Sequence, residues 1–158
     1  MNRLFISRFS APFGELSLIH DGGTLMQVHF SAIPADEPLT EASLPEWLSA
    51  PLSRYFAGDI SALEHIPLHL EGTPFQKTVW AALRRIPAGQ TWSYAELASQ
   101  TGNAKACRAV GSANGRNPCG LVVPCHRVIA ADGSLGGYSG GLDVKRWLLR
   151  HEGAAFRE

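Results

Sequence analysis

Residues 93–114 read SYAELASQTGNAKACRAVGSAN, and their punctuation decides the fold of the C-terminal half. Ser93 followed by Glu96 is a capping-box signature, in which hydroxyl and carboxylate each satisfy an amide at the start of a helix. The spacing predicts a helix from there to about Thr101, a turn at Gly102-Asn103, and a second helix from Ala104 to about Ala113. Two short helices joined by a glycine-containing turn have the layout of a helix-turn-helix, a layout shared with plain helical corners.

Upstream, Thr73-Pro74-Phe75-Gln76 supplies a second capping box with proline at the first helical position. A helix is expected to run through Val79, Trp80, Leu83 and Ile86 and to stop at Pro87-Ala88-Gly89. Downstream, Gly120–Pro124 reads as a short buried strand that ends just before Cys125-His126-Arg127. Gly133, Gly136, Gly137, Gly140 and Gly141 then make a glycine-rich loop around Tyr138 and Ser139. A last amphipathic helix is predicted over Leu142–Glu152, burying Trp147 and Leu148 and ending at Gly153.

The N-terminal part reads differently. Leu4–Phe9, Leu16–His20 and Met26–Phe30 are short β-prone runs, with Asp21-Gly22-Gly23 as a turn, so a meander of antiparallel strands is expected. Residues 31–45 carry Pro34, Pro38 and Pro45 and read as a surface loop. Trp47, Leu48, Leu52, Tyr55 and Phe56 recur at helical spacing over Glu46–Phe56, and Ala57-Gly58 closes that helix. Ile66–Leu70 is a strand or a linker, and the composition shifts near Gly72. The domains expected are therefore an N-terminal α/β unit over residues 1–72 and a mostly helical unit over residues 73–158.

With 158 residues, 45% of them hydrophobic and 18% charged, the chain reads as globular. No apolar run is long enough to span a bilayer and the start lacks a secretory pattern, so a cytoplasmic location with no membrane partner is expected. The three cysteines, Cys107, Cys119 and Cys125, form no CxxC pair and read as reduced thiols rather than a disulfide framework. His65 and His69 are close enough to share a helix face, but no ligand set completes them; they read as solvated, and no metal is expected. A net charge of zero hides a division. Residues 1–72 hold three basic and nine acidic side chains, a balance of −6, and the remainder holds eleven and five, a balance of +6. A basic half of this kind is the footprint expected for a polyanion.

Cys125 is the candidate nucleophile. A thiol reacts as thiolate, so it needs a base or a positive neighbour. His126 is adjacent in sequence, although on a regular strand the two side chains would point to opposite faces. If the backbone turns after Pro124, imidazole reaches the sulfur directly or through water; the residues leave both routes open. Glu152, at the end of the last helix, opposes the helix dipole, and residues that break a local rule are candidates for function. A carboxylate there either orients His126 or is a solvated glutamate at a frayed helix end; the residues leave both readings open.

Together these residues resemble the O6-alkylguanine-DNA alkyltransferases. The resemblance rests on Pro124-Cys-His-Arg-Val128, Arg108-Ala-Val-Gly111, Asn117-Pro118, Tyr138-Ser-Gly-Gly141 and Leu148-Leu-Arg-His-Glu152, with Thr73–Gln76 and Ser93-Tyr94 in order before them. It covers residues 73–158 and extends only loosely into residues 1–72, mainly at Tyr55–Gly58. It implies an α+β fold: a small antiparallel, RNase H-like sheet domain followed by a winged-helix-like domain with a helix-turn-helix.

It also implies a reaction: direct repair of O6-alkylguanine, and of O4-alkylthymine, by base flipping and irreversible single-turnover transfer of the alkyl group to Cys125, with no cofactor. His126 would be the water-linked base, Glu152 its orienting carboxylate, and Asn117 a brace for the turn presenting the thiol. Arg108 would replace the extruded base in the stack, and Tyr94 would press on the neighbouring phosphate. Ala109, Gly111, Ser112, Ala113 and Asn114 would belong to the recognition helix, entering the minor groove of double-stranded DNA. Tyr138, the Ser139 backbone and the carbonyls of Cys125 and Val128 would line the guanine pocket. The protein would be a monomer when free and cooperative on DNA. Asn114 and Gly115 stand where other members carry Met and Arg, and the absence of cysteine before Cys107 removes the zinc site some members have. Two other readings remain at this point: a cysteine hydrolase that turns over, and a DNA-binding protein in which Cys125 is structural.

Overall fold

The computed structural model describes residues 3–158 and divides the chain into two compact units, Met1–Glu71 and Gly72–Glu158. In the first, β1 (Leu4–Ala11), β2 (Gly14–His20), β3 (Leu25–His29) and β4 (Leu39–Glu41) form a sheet in the order β3-β2-β1-β4. The first three strands are the expected antiparallel meander, with Phe9 opposite Leu16 and Ser17 opposite His29. The turn at Asp21 closes through its carboxylate, which accepts from the Gly23 and Thr24 amides and the Thr24 hydroxyl.

The sheet is mixed rather than wholly antiparallel. β4 lies inside the stretch read as loop and pairs parallel to β1, Leu4 against Leu39. Three residues are too few for an alternation to show; the free edge of β1, not local propensity, makes this a strand. α1 (Glu46–Phe56) has its expected limits and buries Leu48, Leu52 and Tyr55, while Ile6, Leu16 and Leu18 of the sheet are buried in the same unit. Each such side chain contributes about 1.5–3 kcal/mol of transfer free energy. His65 and His69 are exposed and lie outside any helix, Leu68 forming a single bridge with Leu25.

The second unit runs α2 (Pro74–Leu83), β5 (Trp92–Ser93), α3 (Tyr94–Gln100), α4 (Cys107–Gly115), a 3-10 turn at Cys125–Arg127, β6 (Val128–Ile129) and α5 (Leu142–His151). Both capping boxes form, with Thr73 and Ser93 each accepting from the amide three residues on. α2 stops at Leu83, before Ile86: Pro87 has no N–H to give the Leu83 carbonyl, and the Arg85 and Ile86 amides close tighter turns on the Ala82 and Leu83 carbonyls instead. α4 begins at Cys107 rather than Ala104: the Asn103 carbonyl and side chain hold the Ala106 and Lys105 amides in a turn of their own. β5 and β6, two residues each, pair in parallel and join the first residues before α3 to the chain just after Cys125. Trp147, expected in the core, is half-exposed and stacks on His151 at 4.7 Å. Lys145 takes its place beside Leu148 and Leu149 on the buried stripe of α5.

Candidate active site

Gly120–Pro124 is buried but is a series of turns, not the strand expected from its apolar run. Asn117 holds this turn from inside: its Nδ2 donates to the Val123 carbonyl at 2.8 Å, and its Oδ1 accepts from the Cys119 amide at 2.9 Å. Leu121 is left at φ +78°, a left-handed conformation uncommon for a side chain branched beyond Cβ. Pro124 then turns the backbone into the 3-10 turn, whose Arg127 amide returns to the Pro124 carbonyl at 3.0 Å. Cys125 and His126 are therefore consecutive residues of a tight turn and escape the opposite-face rule of a strand.

The Cys125 thiol is 4% exposed and lines a cavity of about 220 Å³ with Tyr94, Gly111, Asn114, Gly115, Gly137, Tyr138 and Ser139. Tyr94 opens α3, Gly111 and Asn114 lie on α4, and Tyr138 and Ser139 come from the glycine-rich loop, so the pocket joins these three segments to the turn that carries Cys125. The loop presses against Tyr94: a Cβ at Gly136, which sits at φ +69°, would lie 3.2 Å from the Tyr94 hydroxyl. Burial pushes the Cys125 thiol up to about 11, against the opposing effects of an Asn117 hydrogen bond and the Lys145 charge. Cys119 is sealed at 0% exposure, its thiol pushed up to about 12 by burial, and half-buried Cys107 sits at the start of α4.

Beside the pocket lies a buried polar network. His126 Nε2 donates to Glu152 Oε2 at 2.8 Å, with both side chains wholly buried. Arg127 reaches the same carboxylate twice, Nε to Oε1 at 2.8 Å and Nη2 to Oε2 at 3.2 Å, and its Nη1 donates to the Ile86 carbonyl at 2.8 Å. Burial disfavours the Glu152 charge, but His126 and Arg127 outweigh it and hold the carboxyl well below its usual range. Burial lowers the His126 pKa, Glu152 pulls it up, and the Arg127 and Lys145 charges lower it further, so imidazole is neutral. Its Nδ1 is buried without a hydrogen-bond partner, leaving a lone pair as acceptor. Tyr138 stands edge-on to the ring at 6.5 Å.

Of the residues picked from sequence, Arg108, Ala109 and Ser112 are exposed on α4, whereas Ala113 is 3% exposed and its carbonyl accepts from Trp80 Nε1. The Cys125 carbonyl accepts from the Val128 amide, and the Val128 carbonyl from Lys145 Nζ at 2.7 Å. Sequence reasoning gave no role to Arg127 or Lys145. Lys145 is fully buried, its ammonium held by the carbonyls of Val128, Leu135 and Gly137, which ties the glycine-rich loop to β6. Its signal was present: a lysine three and four residues before Leu148 and Leu149 occupies the apolar stripe of α5.

Comparison with known proteins agrees with this geometry. Residues 74–154 match the family described as 6-O-methylguanine DNA methyltransferase, DNA binding domain. The methylated-DNA–protein-cysteine methyltransferase of Shigella flexneri is 54% identical, over 97% of this chain and 98% of its own. That of Methanosarcina acetivorans is 43% identical over 96% and 99%. The Mycobacterium tuberculosis OGT, solved in complex with DNA, superposes with a TM-score of 0.83 at 39% identity, covering 94% of this chain and 92% of that one. With both halves aligned to these relatives end to end, the chain belongs to the methylated-DNA–protein-cysteine methyltransferase family.

Proposed function

We propose that the chain repairs O6-alkylguanine in double-stranded DNA by moving the alkyl group onto Cys125, once per molecule. The observation that carries this reading is a buried thiol lining a pocket between the two helices of a helix-turn-helix and a glycine-rich loop. The lesion carbon is out of reach in stacked DNA, so the damaged nucleotide rotates out of the duplex into that pocket. Arg108, exposed on α4, fills the gap in the stack, and Tyr94 presses on the adjoining phosphate. Ala109, Gly111 and Ser112 keep the surface of α4 low enough for close approach in the minor groove. Asn114, Tyr138, the Ser139 backbone and the carbonyls of Cys125 and Val128 face the base. O4-alkylthymine presents the same kind of O-alkyl carbon and is a second substrate. The free protein is a monomer that binds DNA cooperatively.

With its pKa near 11 the thiol is protonated at neutral pH, so the reaction requires a base at the moment of attack. His126 supplies it through the Nδ1 lone pair, a water molecule carrying the proton from sulfur to imidazole; Glu152 receives the opposite N–H and stabilises the imidazolium that forms. Lys145 offsets the developing thiolate charge. The sulfur–carbon bond forms as the carbon–O6 bond breaks, and guanine takes up the proton as it leaves. The thioether is stable, which makes the protein stoichiometric.

Incubating the protein with an excess of duplex bearing radiolabelled O6-methylguanine tests this. Protein-bound label rises to one methyl group per chain and stops. Label released to solvent with continued turnover would mean a hydrolase instead, and DNA binding with no transfer would mean a structural Cys125.

A further inference from the structure

The buried network contains one charge for which the transfer reaction has so far had no use. Arg127 is 6% exposed and makes three hydrogen bonds, two to Glu152 and one to the Ile86 carbonyl just beyond α2. A surface arginine would contribute little, but a two-point grip on a buried carboxylate fixes both of its oxygens in a plane. One of those oxygens, Oε2, is also the acceptor for His126 Nε2. The lone pair that His126 uses is thus set by where Arg127 holds the carboxylate.

We propose that Arg127 is a positioning residue for alkyl transfer: by clamping Glu152 against the Ile86 carbonyl it locks His126 as the Nε2–H tautomer, with Nδ1 left as the base. The inference rests on the reading of His126 as that base. The groups facing His126 are Glu152, Arg127, Lys145 and the edge of Tyr138, and among the charged ones only Glu152 favours protonation. An arginine at this position has two effects. It keeps the carboxylate in line with the ring, and it offsets enough of the Glu152 charge to keep imidazole neutral and ready to accept a proton. Lysine, with a single point of charge, does the second without the first; methionine does neither.

The test measures single-turnover methyl transfer from O6-methylguanine duplex against pH for the wild type, Arg127→Lys and Arg127→Met, together with ring ¹⁵N chemical shifts of His126. Arg127→Lys is expected to lower the plateau rate about tenfold or more, to mix the two imidazole tautomers, and to leave the acid limb of the profile in place. Arg127→Met is expected to move that limb upward, because imidazole beside an unshared Glu152 charge protonates at higher pH. Wild-type rate, profile and tautomer in a folded Arg127→Lys protein would overturn the proposal, and that variant decides the matter if Arg127→Met does not fold. Failure of the underlying reading looks different: His126→Ala would then transfer methyl at the wild-type rate, whatever Arg127 does.

Discussion

At the scale of single residues, burial sets the chemistry. Cys125 lies where its thiol is harder to ionise than in water, and His126 where its imidazole is harder to protonate. Under the proposed mechanism the pair exchanges a proton only when substrate fills the pocket. His126→Ala is therefore expected to slow methyl transfer by about 10²-fold or more, while the ultraviolet thiolate titration of Cys125 without DNA stays near its wild-type midpoint. A titration that moved by more than one pH unit would show imidazole bearing directly on the resting thiol. Cys125 and Glu152 were legible as residues, Glu152 because it violates the dipole rule at a helix end, whereas Asn117 entered only through the family resemblance. Arg127 was not: a charged residue after histidine carries no mark in sequence that it will be buried.

At the scale of elements, the helix-turn-helix was readable because its signals are local. Both capping boxes, the prolines and Gly102 act within a few residues, and α2 and α3 begin where the capping boxes indicate, while α4 starts later than the spacing predicts. Each failure traces to one specific partner. β4 exists only as a partner for β1, and the apolar run before Cys125 becomes a turn because Asn117 bonds into it from both sides. α4 carries exposed Arg108 and Arg116 at its two ends, with exposed Lys105 just before it. DNA affinity is expected to fall steeply with salt, each phosphate contact adding a little under one to the log–log slope. Arg108→Ala should cut single-turnover repair in duplex DNA far more than it changes that slope or the melting temperature. Equal rates for variant and wild type on duplex would remove Arg108 from base extrusion.

At the scale of the whole molecule, the charge division noted in sequence coincides with the division into two compact units, and the Cys125 pocket lies in the basic one. The buried network also makes that unit sensitive to acid. Both Glu152 and His126 hold protons less readily when folded than their ordinary values of 4.5 and 6.5. For groups with depressed folded pKa, stability is fully present above the unfolded value and is lost as pH falls below it. Unfolding free energy is thus expected to decline below about pH 6.5 and more steeply below about 4.5. Glu152→Gln should flatten the lower part of that decline while costing about 3–5 kcal/mol at neutral pH, since Arg127 is left buried beside a neutral amide. Denaturant melts across this range give both quantities, and a variant as acid-labile as the wild type would place the titration elsewhere.

The most direct test of the account is peptide mapping by mass after incubation with duplex DNA containing O6-methylguanine. The expected result is one added methyl group, confined to the peptide that carries Cys125 and absent from those carrying Cys107 and Cys119. A methyl group on another residue, or an unmodified chain with the lesion still in the DNA, would contradict it.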